Sequence, residues 1–241
     1  SAVEAERKQS SFMGVRLNTI EVLKQYFGYD SFRNGQESII NAILEGRDTL
    51  AVMPTGAGKS ICYQVPALML PGVTLVISPL ISLMQDQVKS LNENGIHAAY
   101  INSSLSDSQI SRALEAAAKG TYKIIYVAPE RLESSEFIRF ASQVQISMVT
   151  VDEAHCISQW GQDFRPSYLK IIDFVGSLSK RPILSAFTAT ATEEVKNDIA
   201  CILNLRNPHV VVTGFDRENL YYQVENIRRK ADFIVSYIEK H

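Results

Sequence analysis

Short runs of β-branched and large apolar residues recur along the chain, separated by longer stretches whose apolar residues fall three and four positions apart. The runs Thr49–Val52, Val73–Ile77, Ala98–Ile101, Lys123–Val127, Met148–Val151, Ile183–Phe187 and Val210–Thr213 predict strands. Between them, helical spacing predicts helices over Gln36–Leu44, from Ile61 onward, over Ile81–Glu93, Ser106–Lys119 and from Thr192 to Leu203. Local chemistry supports several ends. Asn18 with Glu21, and Ser106 with Gln109, have the spacing of capping boxes; Gly28 and Gly46 are stops; Glu193 and Glu194 suit the first turn after a Thr192 cap. Strand and helix alternate, and the strands are almost continuously apolar. That combination predicts an α/β fold with a mostly parallel sheet covered on both faces. Ligands of such sheets sit at the carboxyl ends of the strands.

This pattern holds from residue 18 to 213, which reads as one domain. Residues 1–17 are polar and mixed in charge, with no apolar segment before Met13, and read as a leader or flexible tail rather than a signal peptide. After Gly214 comes an extended run, Leu220–Val224, a basic Arg228-Arg229-Lys230 and a helix to His241. This piece is too small for a core of its own, and reads as a linker with the opening strand and helix of a second, truncated lobe.

With 46% hydrophobic and 21% charged residues the composition is that of an ordinary globular protein, and no apolar run reaches membrane-spanning length. The net charge of −2 argues against a general polyanion binder, so any nucleic-acid contact must be a local basic and aromatic surface. Cys62, Cys156 and Cys201 are far apart in sequence and predict neither a zinc site nor a disulfide framework, which fits an intracellular setting.

The chemistry concentrates at strand ends. Met53-Pro54-Thr55-Gly56-Ala57-Gly58-Lys59-Ser60 joins a strand to a helix. A loop of this kind turns backbone N–H groups toward phosphate; Lys59 reaches the β- and γ-phosphates, and the Ser60 hydroxyl can ligate Mg²⁺. The helix that follows directs its positive end at the same anion. The general pattern has a glycine where Met53 stands, but Gly56 and Gly58 still flank the turn. Asp152-Glu153-Ala154-His155 follows another strand: Asp152 suits Mg²⁺, Glu153 can polarise an attacking water, and His155 is placed to sense that chemistry. In Phe187-Thr188-Ala189-Thr190-Ala191-Thr192 the last threonine is a helix cap, while Thr188 and Thr190 are candidates for hydrogen bonds to the acidic segment. Trp160 and Phe164, in a segment rich in Gly, Gln, Ser and Asp, offer flat faces for base stacking, with Arg165 as a cation for phosphate.

Together these motifs resemble a superfamily 2 helicase motor, specifically the RecQ DNA helicase family. The Lys59 loop is similar to motif I of those enzymes, Ser78–Val88 to motif Ia, Ala128–Leu132 to motif Ib, Asp152–His155 to motif II and Thr188–Thr190 to motif III. Ala154–Pro166, which includes Gln159, Trp160, Phe164 and Arg165, is similar to the aromatic-rich loop that couples single-strand binding to ATP hydrolysis in RecQ enzymes. Tyr26–Gln36 resembles RecQ motif 0, which implies that Tyr29 stacks on adenine, that Arg33 is a neighbouring contact and that Gln36 reads the base edge, a bidentate pairing open to glutamine and adenine.

The resemblance spans residues from about 18 to 222. It implies a P-loop NTPase fold, the first RecA-like lobe of an ATP- and Mg²⁺-dependent DNA helicase with 3′ to 5′ polarity. Single-stranded and partly duplex DNA would be its partners. It further implies a second lobe supplying an arginine finger, no membrane attachment, and no zinc in this part of the protein. The setting would be cytoplasmic and nucleoid-associated in a bacterium, nuclear in a eukaryote. An RNA-remodelling ATPase of the same superfamily and a nucleotide-gated binding module without catalysis are the alternatives.

Overall fold

The computed structural model describes residues 18–214, 224, 226 and 229–240. The expected leader at 1–17 and most of the extended run at 220–224 lie outside them. In chain order the elements are α1 (Thr19–Phe27), α2 (Gln36–Leu44), β1 (Thr49–Val52), α3 (Lys59–Met69), β2 (Val73–Ile77), α4 (Ile81–Glu93), β3 (Ala98–Ile101) and α5 (Asp107–Ala118). They continue with β4 (Ile124–Val127), α6 (Ser135–Gln143), β5 (Ile146–Val151), α7 (Lys170–Ser177), β6 (Ile183–Thr188), α8 (Glu193–Ile202), β7 (His209–Val212) and α9 (Lys230–Lys240).

The strands form one seven-stranded sheet in the order β3-β4-β2-β5-β6-β1-β7, and every pairing is parallel. The near-continuous apolar strands are explained by burial on both faces. Alternate residues divide between two cores: Leu75, Ile77, Val149, Val151 and Leu184 face α5–α8, with Ile110, Phe137, Phe174 and Val195. Val76, Tyr126, Met148 and Phe187 face α2–α4, with Ile39, Tyr63 and Met84. α1 packs as an outer layer through Val22 and Leu23 against Ile40 and Val65.

Both expected capping boxes form: Asn18 Oδ1 accepts from Glu21 N at 2.9 Å while Glu21 accepts from Asn18 N at 2.7 Å, and Ser106 with Gln109 repeats the exchange. Two helices, α6 and α7, arise where the strand-to-helix alternation alone marks none. Each buries only one narrow stripe, Phe137, Phe140 and Ala141 in α6 and Ile171, Phe174 and Val175 in α7. Helix α3 begins at Lys59 rather than Ile61, because Gly58 at φ +81° turns the chain directly into it. β7 lies one residue earlier than the spacing suggests, at His209–Val212, where it pairs with β1.

The order of the strands positions the site. β5, β6 and β1 are neighbours, with Val151 opposite Ala186 and Val52 opposite Thr188. Their carboxyl ends therefore bring together the acidic segment, the threonine segment and the glycine loop.

Candidate nucleotide site and the aromatic loop beside it

Met53 follows β1 and is fully buried in the α2–α4 core. Its N–H donates to Thr188 O at 2.9 Å, and its carbonyl accepts from Lys59 Nζ at 3.2 Å. No left-handed backbone is needed there, so the absent glycine is structurally neutral. The positive φ values fall at Gly56 (+83°) and Gly58 (+81°), where the loop wraps. Gly58 supplies no side-chain cap, and in the first turn of α3 Ile61 N donates to Gly58 O at 3.2 Å while the Lys59 and Ser60 amides face the loop's concavity without an intrahelical acceptor. An anion is the partner such amides accept.

A cavity of about 460 Å³ opens over this loop, lined by Tyr29, Arg33, Gln36, Thr55, Gly56, Gly58, Lys59, Ser60, Asp152 and Glu153. It brings the loop, the acidic pair and the Tyr29–Gln36 turn into one concavity. Tyr29 is about half exposed at its rim. Arg33 Nη1 donates to Gly56 O at 2.6 Å. Gln36 is buried beneath the loop: Nε2 donates to Ala57 O at 3.2 Å and Gly58 O at 3.0 Å, and Oε1 accepts from Arg33 N at 2.8 Å. Both ends of the Gln36 amide are thus engaged by protein, and pairing with a base would require exchanging these bonds.

Asp152 is buried at the end of β5, and its N–H donates to Ile77 O at 2.8 Å. Burial, reinforced by the neighbouring Glu153 carboxylate, pushes its acid up to about 6, while the Glu153 N–H and Lys59 pull the other way. Asp152 and Ser60 are hard oxygen donors, and among the described residues no group of three or more His, Cys, Asp or Glu is clustered to hold a metal. That donor set suits Mg²⁺, which takes one or two protein oxygens and completes its shell with phosphate and water. Glu153 has φ 48° and ψ 46°, a left-handed conformation that costs a non-glycine residue about 1–3 kcal/mol and persists only where its surroundings impose it.

Thr188 Oγ1 donates to Thr190 O at 3.0 Å and so accepts from His155 Nδ1 at 2.9 Å. The His155 proton is thereby assigned to Nδ1, with Glu153 Oε2 at 3.3 Å from the same atom. Thr188, His155 and Glu153 form one line of contacts. Thr190 contributes its carbonyl, and its side chain is exposed.

After His155 the chain keeps Cys156, Ile157 and Ser158 buried and leaves the core at Gln159. Trp160 is 79% exposed, which rules out a core role, while Phe164 is half-buried and Gln159 exposed. Arg165 pairs with Asp163 Oδ2 (Nη2 2.7 Å) and donates to Pro79 O at 3.3 Å, linking this loop to the segment after β2. Ser78 is not on this surface: it is 1% exposed, and its Oγ has no hydrogen-bond partner among the described residues. A larger groove of about 1030 Å³ lies at the opposite ends of the strands, but its Lys123 is tied to the Leu70 and Gly72 carbonyls. Tyr168, not marked by any sequence motif above, donates to the Asp152 carbonyl at 3.0 Å.

Comparison with known proteins bears on the family and the fold. Residues 33–198 match the DEAD/DEAH box helicase family. The chain is 51% identical over 221 residues to the ATP-dependent DNA helicase RecQ of Bacillus subtilis, and 48% identical over 208 residues to that of Pasteurella multocida. These alignments cover 91% and 86% of this chain but 37% and 33% of the relatives, so the chain spans about a third of their length. Among solved structures, a DUF1998 helicase, MrfA, bound to DNA superposes with a TM-score of 0.64 at 18% identity, over 83% of this chain and 30% of that one. A hypothetical ATP-dependent RNA helicase from Sulfolobus tokodaii gives 0.63 at 21% identity, over 81% and 56%. At such identities these two establish the fold alone. The match over residues 33–198, on an all-parallel sheet whose strand ends gather a phosphate-type loop and an Asp-Glu-Ala-His segment, shows that this chain belongs to the DEAD/DEAH box helicase family, with 46–51% identity to its RecQ members.

Proposed function

We propose that residues 18–213 form the ATP-binding lobe of a RecQ-like 3′ to 5′ DNA helicase, and that residues 214–241 lead into a second lobe. The observation that carries this is the single cavity shared by Lys59, Ser60, Asp152 and Glu153, from whose acidic segment the chain runs directly into the exposed Trp160 loop. α9 supports a further lobe: Ile234, Val235 and Ile238 are more than half exposed, apolar surface that calls for cover.

The loop amides and Lys59 bind the phosphates of ATP, and Ser60 with Asp152 hold Mg²⁺. Bound there, nucleotide and Mg²⁺ supply the scissile phosphoanhydride and neutralise its charge. Glu153 orients the attacking water and takes its proton; His155, fixed by Thr188, keeps Glu153 in place. Tyr29 stacks on adenine, with Arg33 beside it, and Gln36 exchanges its loop contacts for the base edge. Trp160 and Phe164 stack on bases of single-stranded DNA, and Arg165 and Gln159 contact its backbone. Since the transferring phosphoryl needs an arginine from the opposite lobe, this lobe alone turns over ATP very slowly.

The test is ATPase rate with and without single-stranded DNA, on a protein extended through a second lobe, for wild type, Lys59→Ala and Trp160→Ala. DNA should stimulate wild type, Lys59→Ala should be inactive, and Trp160→Ala should hydrolyse ATP without responding to DNA. A Trp160→Ala protein that responds normally overturns the role of the loop. Stimulation by RNA in preference to DNA overturns the assignment to DNA.

A further inference from the structure

Tyr168 lies in the 3₁₀ turn Pro166–Leu169 that follows Arg165, fully buried in the core facing α5–α8. A phenylalanine would fill the same space, so the hydroxyl is the part of this side chain that packing does not require. It donates to the Asp152 carbonyl, half of the peptide that joins Asp152 to Glu153. That peptide leads into the left-handed conformation of Glu153. Three hydrogen bonds fix the backbone of the Asp152–Glu153 turn itself: Tyr168 Oη to Asp152 O at 3.0 Å, Glu153 N to Asp152 Oδ1 at 3.0 Å, and Cys156 N to Glu153 O at 2.9 Å, with Asp152 N to Ile77 O and His155 Nδ1 to Thr188 Oγ1 anchoring the residues on either side. The second and third are internal to the segment. Of the three, only the first comes from another part of the chain.

At its other end Tyr168 is joined to the aromatic loop. Its N–H donates to Arg165 O at 2.9 Å, and Arg165 N donates to Cys156 O at 2.8 Å. The loop's opposite end is moored elsewhere. Ser158 Oγ donates to Asp198 of α8 at 2.6 Å and accepts from Trp160 N at 3.1 Å. The loop is thus moored to α8 at Ser158 and joined at Arg165, one turn from Tyr168, to the backbone that carries the Tyr168 ring.

We propose that Tyr168 is a positioning residue: its hydroxyl sets the Asp152–Glu153 peptide, and with it the direction of the Glu153 carboxylate, according to where the 160–165 loop stands. Tyr168 touches neither nucleotide nor nucleic acid, and acts through Asp152 and Glu153. This inference rests on the ATPase reading above.

Tyr168→Phe keeps the ring and removes the bond. Trp160 is the only tryptophan, so its emission reports the loop. A non-hydrolysable ATP analogue with Mg²⁺ is titrated into wild type and Tyr168→Phe, with binding followed by calorimetry, Trp160 emission recorded in parallel, and folding of each protein checked by circular dichroism. Wild type should bind and change its emission; Tyr168→Phe should bind within about twofold of wild type and lose most of the change. In the two-lobe protein, Tyr168→Phe should lower the DNA-stimulated kcat about tenfold with the KM for ATP unchanged. A full emission change in Tyr168→Phe overturns the proposal, as does wild type that binds nucleotide with no change. Failure of wild type to bind nucleotide overturns the ATPase reading itself, and this inference with it. A Tyr168→Phe protein whose kcat and KM both match wild type overturns it independently of fluorescence.

Discussion

Gly161 carries no chemistry, yet replacing it by alanine should disable the coupling between the aromatic loop and the acidic segment. A methyl there would stand 2.2 Å from His155 O, 3.1 Å from the carbon of the same carbonyl and 3.1 Å from Ser158 O. Carbon–oxygen contacts need more than 3 Å, so the loop and the His155 carbonyl must separate by about 1 Å. Neither partner can swing aside as a side chain would. Both carbonyls are backbone and both are engaged, His155 O by Ser158 N at 3.2 Å and Ser158 O by Gly161 N at 3.0 Å. Forced overpacking of this kind costs about 1–3 kcal/mol. The displacement has a direction: His155 Nδ1 sits 2.9 Å from Thr188 Oγ1, and moving its backbone by an ångström takes that bond beyond hydrogen-bonding reach. A misplacement of about 1 Å near reacting groups costs up to about 10²-fold in rate. Gly161→Ala should therefore melt a few degrees below wild type, bind nucleotide normally because the glycine loop is untouched, and lose at least about tenfold in DNA-stimulated ATPase of the two-lobe protein. Gly176→Ala is the matched control: a methyl there meets nothing within 4 Å, and α7 should gain about 0.5–1 kcal/mol. Wild-type melting and stimulated rate in Gly161→Ala would show that the His155 carbonyl yields to the methyl without disturbing Thr188.

Asp48, 3% exposed, accepts from Arg181 Nη2 at 2.7 Å, Leu184 N at 2.9 Å and Arg206 N at 2.7 Å, tying the turns that enter β1, β6 and β7. Asp48→Ala removes the acceptor of Leu184 N and Arg206 N and the carboxylate partner of Arg181, and should lose about 3–5 kcal/mol by urea unfolding; a loss below about 1 kcal/mol would show the clamp to be incidental. Asp152 holds its proton to about 6 in the fold against 3.8 as the ordinary value, so below about 4 both states are protonated and nothing is lost. As pH climbs from about 4 to about 6 the unfolded chain ionises first, and metal-free protein loses up to about 3 kcal/mol. Asp152→Asn should therefore gain stability over wild type across that window, and a pH-independent difference between the two would contradict the shift. Gln36→Glu places a carboxylate against the Ala57 and Gly58 carbonyls in place of a donor, and should weaken nucleotide binding by about tenfold or more in a direct titration.

The alternation of strands and helices is legible in the chain, because burial on both faces leaves an unbroken apolar run that no exposed strand would carry, and β2, α4 and β3 fall where the pattern places them. The sequence also marks Lys59, Asp152 and Trp160 as candidates, since glycine loops, paired acids and a lone tryptophan among polar residues are local signals. α6 and α7 were harder to read: their stripes are two turns long, and short periodicity does not separate a helix from a loop over a core. Which strand ends meet is settled by packing, through the order β5-β6-β1, because parallel crossovers join elements distant in sequence with no local trace of their order. Tertiary packing alone also buried Ser78, bound both ends of Gln36 to the glycine loop and brought Tyr168 under Asp152. Each of these is a contact between segments far apart in the chain. The residue types at the two ends carry no record of one another, so the pairing exists only once the sheet has closed around them.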